Sequence, residues 1–137
     1  YSEVQKECPG AAAKMVDFVA RLAAHARKKN PNFIVILQNA EELLAYPKMV
    51  DAIDAIAKED LFYGADHSER ENDAGMVKTI LANLAHAKAA GRPIFVLDYI
   101  RDATTRAADK AKIEAQGFIP YFGPRKLDQL WLQGQNF

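Results

Sequence analysis

Apolar positions recur at helical spacing early in the chain. Ala12, Met15, Val16, Val19, Leu22, Ala23 and Ala26 fall on one face of residues 11–29, while Lys14, Arg21, Arg27 and Lys28 project elsewhere. The pattern predicts an amphipathic helix packed by that face. Its basic end, Arg27-Lys28-Lys29, suits the negative end of the helix dipole, and Asn30-Pro31-Asn32 stops it. Residues 33–37 then run apolar without alternation, the pattern of a parallel strand covered on both faces. A second helix is expected over 41–52 and a shorter strand over 53–57, followed by a charged loop over 64–73.

The second half repeats the scheme. Asn72 or Asp73 can cap a helix whose buried stripe is Met76, Ile80, Leu84 and Ala87, and Gly91 can take the left-handed position that ends it. Residues 93–97 read as a third strand, ending at Asp98-Tyr99. Asp102 can cap the next helix, which runs to Gln116 and stops at Gly117; residues 118–122 form the fourth strand, and Gly123-Pro124 opens a short helix near 126–132. Strands beginning near 33, 54, 93 and 118 are spaced on average by about thirty residues, the spacing of an eight-unit barrel of roughly 250 residues.

Four such βα units fit a small open doubly wound sheet or half of a parallel barrel, and both bind ligands at the C-terminal ends of their strands. The residues at those ends are polar or aromatic: Gln38 and Asn39, Glu59 and Asp60, Asp98 and Tyr99, and Tyr121. A barrel brings all of them to one mouth. No G-x-G-x-x-G or Walker phosphate loop follows any strand. The expected fold is therefore α/β, a TIM-type (β/α) barrel to which residues 1–137 contribute about four units, as one domain or as its C-terminal half.

Composition narrows the partners. At 137 residues and 50% hydrophobic, the chain can bury a core. Lysine plus arginine equals aspartate plus glutamate at 18 each, so no overall field draws it to nucleic acid or an anionic membrane. Its apolar runs are too short to span a bilayer. Cys8 is the single cysteine, which excludes an internal disulfide. His25 and His86 lie within expected helices and His67 in the polar loop, none with a second ligand at metal spacing, so neither metal nor cofactor is expected. There is no Gly-x-Ser-x-Gly elbow, and Ser68 has no evident base partner.

Four segments together resemble a known family: Ile36-Leu37-Gln38-Asn39-Ala40, residues 54–63 (Asp-Ala-Ile-Ala-Lys-Glu-Asp-Leu-Phe-Tyr), Val96-Leu97-Asp98-Tyr99, and Gly117-Phe118-Ile119-Pro120-Tyr121. The family is the endo-alpha-1,4-polygalactosaminidases among the glycoside hydrolases, with relatives once called cysteinyl-tRNA-synthetase-related. No His-x-Gly-His or Lys-Met-Ser-Lys-Ser element of a synthetase occurs here. The resemblance implies a TIM barrel, a polysaccharide substrate and a secreted or extracytoplasmic enzyme. It also implies a Leu-Asp-x-x-Asp-Ala-Tyr segment carrying one catalytic aspartate, of which Tyr1 resembles the end. On that reading the N-terminal half of the barrel precedes this chain, and the 137 residues alone are expected to be inactive.

Glycoside hydrolysis needs two carboxyl groups flanking the bond. Glu59 matches the family's catalytic glutamate by resemblance, and a half-buried strand end beside a second carboxylate is the setting that suits an acid. Asp60, being adjacent, points elsewhere and is expected at most to support substrate binding. Asp98 could hold a sugar amine or hydroxyl while Tyr99 stacks on a sugar face. Asn39 could reach hydroxyls or hold Glu59, and Tyr63 and Tyr121 could form sugar platforms. The resemblance implies a glycoside hydrolase acting on an amino-sugar polymer; a non-catalytic carbohydrate- or small-molecule-binding α/β module is the other reading.

Overall fold

The apolar runs meet in one sheet. The computed structural model describes residues 7–65 and 69–129, with strands β1 (Ile36–Gln38), β2 (Ala55–Glu59), β3 (Ile94–Asp98) and β4 (Ile119–Phe122). Every neighbouring pair is parallel, and the spatial order β1-β2-β3-β4 is the chain order. Helices α1 (Ala11–Lys29), α2 (Pro47–Ala52), α3 (Ala74–Ala89) and α4 (Ala103–Ala115) alternate with the strands. Right-handed crossovers put every connection on the same face unless strand order reverses. A doubly wound sheet needs that reversal to cover both faces. This sheet has none, so it is an arc of a parallel barrel.

Burial shows the same asymmetry. Ile56, Ile94 and Val96 are buried in the core with Leu84, Ala87 and Ile113 of the helices. Registered partners share a face, so Ile36, Phe95, Leu97, Ile119 and Tyr121 lie on the opposite side with Glu59. There Ile36 is 51% and Ile119 49% exposed. That side is the concave interior of the arc.

Local chemistry explains the element ends. Asp73 accepts from Met76 N at 2.9 Å and Asp102 from Thr105 N at 2.7 Å, capping α3 and α4. Gly91 (φ 69°) and Gly117 (φ 74°) take the left-handed positions after them. At the opposite rim from the strand ends, Arg27 pairs with Asp54 at 2.7 Å and donates to Ala52 O at 3.0 Å, tying the end of α1 to the start of β2. The Val35 amide and that guanidinium hold the Asp54 carboxyl below its usual range.

Four expectations are corrected. The helix expected over 41–52 is broken: a 3₁₀ segment, Glu41–Ala45, ends at extended Tyr46, and Pro47 starts α2. Proline disfavours a helical residue before it and is well placed at a helix start. β1 begins at Ile36 instead of 33, leaving Phe33 and Ile34 exposed, and β2 runs two residues later than expected, taking in Lys58 and Glu59. Leu22 is 53% exposed on α1 and Met76 36% exposed on α3, outside the buried stripes. Residues 123–129 form turns, with Leu127 N donating to Pro124 O at 2.8 Å; the rest of the expected last helix, with Tyr1, His67 and Ser68, lies outside the described residues.

Exposed Phe18, Leu22, Phe33, Ile34 and Ile36 accompany the β1 side of the arc, and Ile119 the β4 side. The 137 residues expressed alone are therefore expected to self-associate and to bind a hydrophobic dye. Sedimentation showing a compact monomer that melts cooperatively, without dye binding, would contradict this.

Candidate active site

The C-terminal ends of the strands carry the polar groups. Glu59 is the last residue of β2, in register with Leu97 of β3, which is in register with Tyr121 of β4. The three share the concave face. Just past the end of β3, the Tyr99 hydroxyl donates to Glu59 Oε1 at 2.6 Å, and just past β1, Asn39 Nδ2 donates to Glu59 Oε2 at 3.3 Å. Each carboxylate oxygen thus has its own donor from a neighbouring strand end. Burial first, and then the bond to Glu59, raise the Tyr99 pKa above that of an ordinary phenol, keeping this donor protonated.

Asn39 is itself fixed. Its Oδ1 accepts from the Glu59 amide at 3.0 Å, and Lys58 Nζ lies 3.5 Å from the same oxygen. Two donors on Oδ1 orient the amide so that Nδ2 faces the carboxylate. Lys58 faces the helices, where it also pairs with buried Glu41 at 3.4 Å. Asn39 (φ 53°) and Asp60 (φ 51°) both adopt left-handed backbone at adjacent strand ends. Non-glycine residues pay about 1–3 kcal/mol for such conformations, which persist where surrounding structure determines them.

Asp60 has a partner of its own, distinct from those of Glu59. Its carboxylate receives Arg125 through two bonds, at 3.2 and 2.9 Å, and Arg125 also donates to Gly64 O at 3.0 Å while its guanidinium lies 4.6 Å from the Tyr99 ring centroid. A chain of contacts therefore runs from Asp60 through Arg125 and Tyr99 to Glu59 and Asn39. Asn72 secures the loop after β2 by donating to Asp60 O at 2.9 Å and Leu61 O at 3.1 Å. Tyr121 lies beside Gly123, where an added Cβ would come 3.1 Å from its ring. Tyr63 sits under Lys112, 4.8 Å from Nζ, away from the Glu59 group.

Asp98 corrects the expectation that it meets substrate. It alternates with Tyr99 and shares the helix side with Ile94 and Val96, fully buried against Asp109 of α4. Adjacent strand residues point to opposite faces, so Tyr99 and Asp98 cannot both reach the mouth. Arg125, Lys58 and Asp109 are the participants that the pattern of the sequence did not disclose. Arg125 alone had a positional signal, lying three residues beyond β4 at the same rim. Among the described residues, no three His, Cys, Asp or Glu side chains gather as a metal-binding set.

Comparison with known families decides the kinship. The model of glycoside-hydrolase family GH114 matches residues 3–136. The chain belongs to family GH114. A Deinococcus radiodurans protein of uncharacterised role is 37% identical to the GH114 chain over 124 residues, 90% of this chain and 40% of that protein. A Thermotoga maritima counterpart is 28% identical over 120 residues, 81% of this chain and 36% of its own length. The GH114 chain thus spans well under half of these relatives. Among solved structures, the glycoside hydrolase domain of PelA from Pseudomonas aeruginosa matches with a TM-score of 0.70 at 22% identity, over 95% of this chain and 50% of that one. That likeness shows the barrel fold.

Tyr99→Phe removes one donor from Glu59 and keeps the ring under Arg125. A hydrogen bond to a charged group is worth about 1.5–3 kcal/mol, so any glycosidase turnover of the intact protein that depends on Glu59 should fall roughly ten- to a hundredfold. Melting should change little. Turnover within twofold of the parent would show that the hydroxyl does not support Glu59.

Proposed function

We propose that the intact protein is a glycoside hydrolase that cleaves an amino-sugar polysaccharide, alpha-1,4-linked galactosamine being the first substrate to test. Glu59 supplies one catalytic carboxylate, and an aspartate in the preceding half of the barrel supplies the other. The observation that carries this reading is Glu59 at the concave rim, with Tyr99 and Asn39 each donating to one of its oxygens. Membership in family GH114 and likeness in fold to the PelA glycoside hydrolase domain support it.

A donor on each oxygen suits the member of the pair that is negatively charged as it attacks or activates water, the nucleophile or base. This replaces the acid role anticipated for Glu59. Tyr121, on the same face and in register with Leu97, supplies an aromatic surface for sugar. We assign the protein to the secreted or extracytoplasmic space, where such polymers occur. The galactosamine assignment stands on the family resemblance, not on an acidic cleft: Asp60 is paired with Arg125 and Asp98 faces α4.

The decisive variant is Glu59→Gln, which keeps shape and hydrogen-bonding capacity while removing the charge. Turnover on a galactosamine polymer should collapse by at least about a hundred- to ten-thousandfold, with melting preserved. Asp60→Asn should be milder, because its carboxylate engages Arg125 and not the bond being cut. Near-parent turnover in Glu59→Gln would sink the assignment. Sugar binding without turnover by the intact parent would establish the non-catalytic alternative.

Treatment with EDTA should leave turnover unchanged, since both proposed catalytic groups are carboxylates acting directly on substrate. Loss on chelation, restored by a divalent cation, would require a different mechanism.

A further inference from the structure

Behind the mouth, two carboxyl groups meet with no cation hydrogen-bonded to either among the described residues, although Lys112 is close enough to act electrostatically on Asp109. Asp98 of β3 and Asp109 of α4 are both 0% exposed and in hydrogen-bonding contact. Asp98 Oδ1 accepts from the Leu61 amide at 3.1 Å, but Asp98 Oδ2 and both Asp109 oxygens have no other donor among the described residues. A buried carboxylate oxygen without a donor is costly, and the donor available to the pair is its own shared proton. The neighbouring charged groups are few. Asp60 of the turn after β2 faces the pair, paired to Arg125; on α4, Lys112 is engaged by Glu71 and Tyr63, and Arg106 by the Ile100 and Arg101 carbonyls.

The pair touches the backbone of the site on two sides. Leu61 is two residues after Glu59, and Asp98 immediately precedes Tyr99, the donor to Glu59. The Asp60 amide adds a bond to Leu97 O at 3.2 Å across the same junction. We propose that Asp98, locked to Asp109 by a shared proton, is a positioning residue that fixes the turn after β2 against the end of β3 and so sets Glu59 within reach of the Tyr99 hydroxyl. This inference rests on the glycosidase reading for its kinetic consequence but not for its geometry.

Burial above all, and then Asp109, push the Asp98 carboxyl up to about 9; burial likewise raises Asp109. The folded protein therefore holds more protons than the unfolded chain between the ordinary carboxylate range and that value. The contribution of the clamp is complete at low pH and is lost as pH rises through about 9, when two negative charges would face each other. Tyr99, raised above its ordinary value, ionises later and does not account for that loss.

The test compares Asp98→Leu and Asp109→Asn in the intact protein, measuring turnover against pH, melting, and exchange of the Leu61 amide. Asp98→Leu should lower kcat on the order of a hundredfold, as expected for a small misplacement of a catalytic group, with KM little changed and Leu61 exchange accelerated. Asp109→Asn keeps a donor for Asp98 and forbids the second charge. It should retain most of the neutral-pH turnover and lose the alkaline decline in turnover and melting that the clamp predicts for the parent. A folded Asp98→Leu with parent-like kcat and Leu61 exchange would overturn the proposal, as would an unchanged alkaline decline in Asp109→Asn. If Asp98→Leu fails to fold, the Asp109→Asn pH profile decides alone. Parent protein without turnover would count against the glycosidase reading, while amide exchange and the pH dependence of melting would still judge the clamp.

Discussion

Parallel strands laid down in chain order leave one face of the sheet to their own helices and the other to whatever completes the arc. This one-sidedness governs both stability and chemistry here. On the helix face, Ile56, Ile94, Val96, Leu84 and Ile113 are buried at 0–3% exposure, and burial of each such side chain stabilises the fold by about 1.5–3 kcal/mol. On the concave face Ile36 and Ile119 stay half exposed. Because all strands run the same way, their C-terminal ends meet at one rim, and side chains from residues 39, 59, 99 and 125 become neighbours despite their distance in sequence.

Much of this was legible in the residues, for identifiable reasons. Unbroken apolar runs located the strands, and Asp73 and Asp102 marked helix starts because a short side-chain acceptor satisfies a free amide there. Glu59, Asn39 and Tyr99 could be placed at the rim from strand ends alone. What was lost depended on tertiary context. The start of β1 moved because Phe33 and Ile34 are apolar yet exposed among the described residues, so an apolar run alone overstates the paired segment, and Leu22 is exposed because helical periodicity defines a stripe without saying how wide the packed part is. Asp98 is a different case: the two-residue period that separated Glu59 from Asp60 also separates Asp98 from Tyr99, and parity alone would have turned one of them inward. The position of Arg125 just beyond β4 put it at the rim, but its pairing could not be read, since its partner Asp60 is 65 residues away.

The charges of the rim are more balanced than their number in sequence suggests. Three acidic side chains near the strand ends would make a strongly negative cleft. The Arg125 guanidinium lies on Asp60 and on the face of Tyr99, and Asp98 is removed behind the sheet. Glu59 therefore faces neutral donors, the Tyr99 hydroxyl and the Asn39 amide, at this rim.

On the glycosidase reading proposed above, precision at such a rim has to come from behind it, because the concave side would stay open to substrate. Two polar contacts on the helix face meet that need. Lys58, anchored by Glu41 at 3.4 Å, approaches the side-chain Oδ1 of Asn39; Asp98, anchored by Asp109, holds the Leu61 amide. One governs the strand end on one side of Glu59, the other the turn that follows it. Both lie in the protected layer between sheet and helices, where low exposure strengthens hydrogen bonds and makes a missing partner costly. The left-handed backbones of Asn39 and Asp60 are the places where that support is needed most, since each would relax if its neighbours were released. Buried polar groups that would be a liability in an ordinary core thus have a structural reason here: they hold strained strand ends in the geometry that gives Glu59 its two donors.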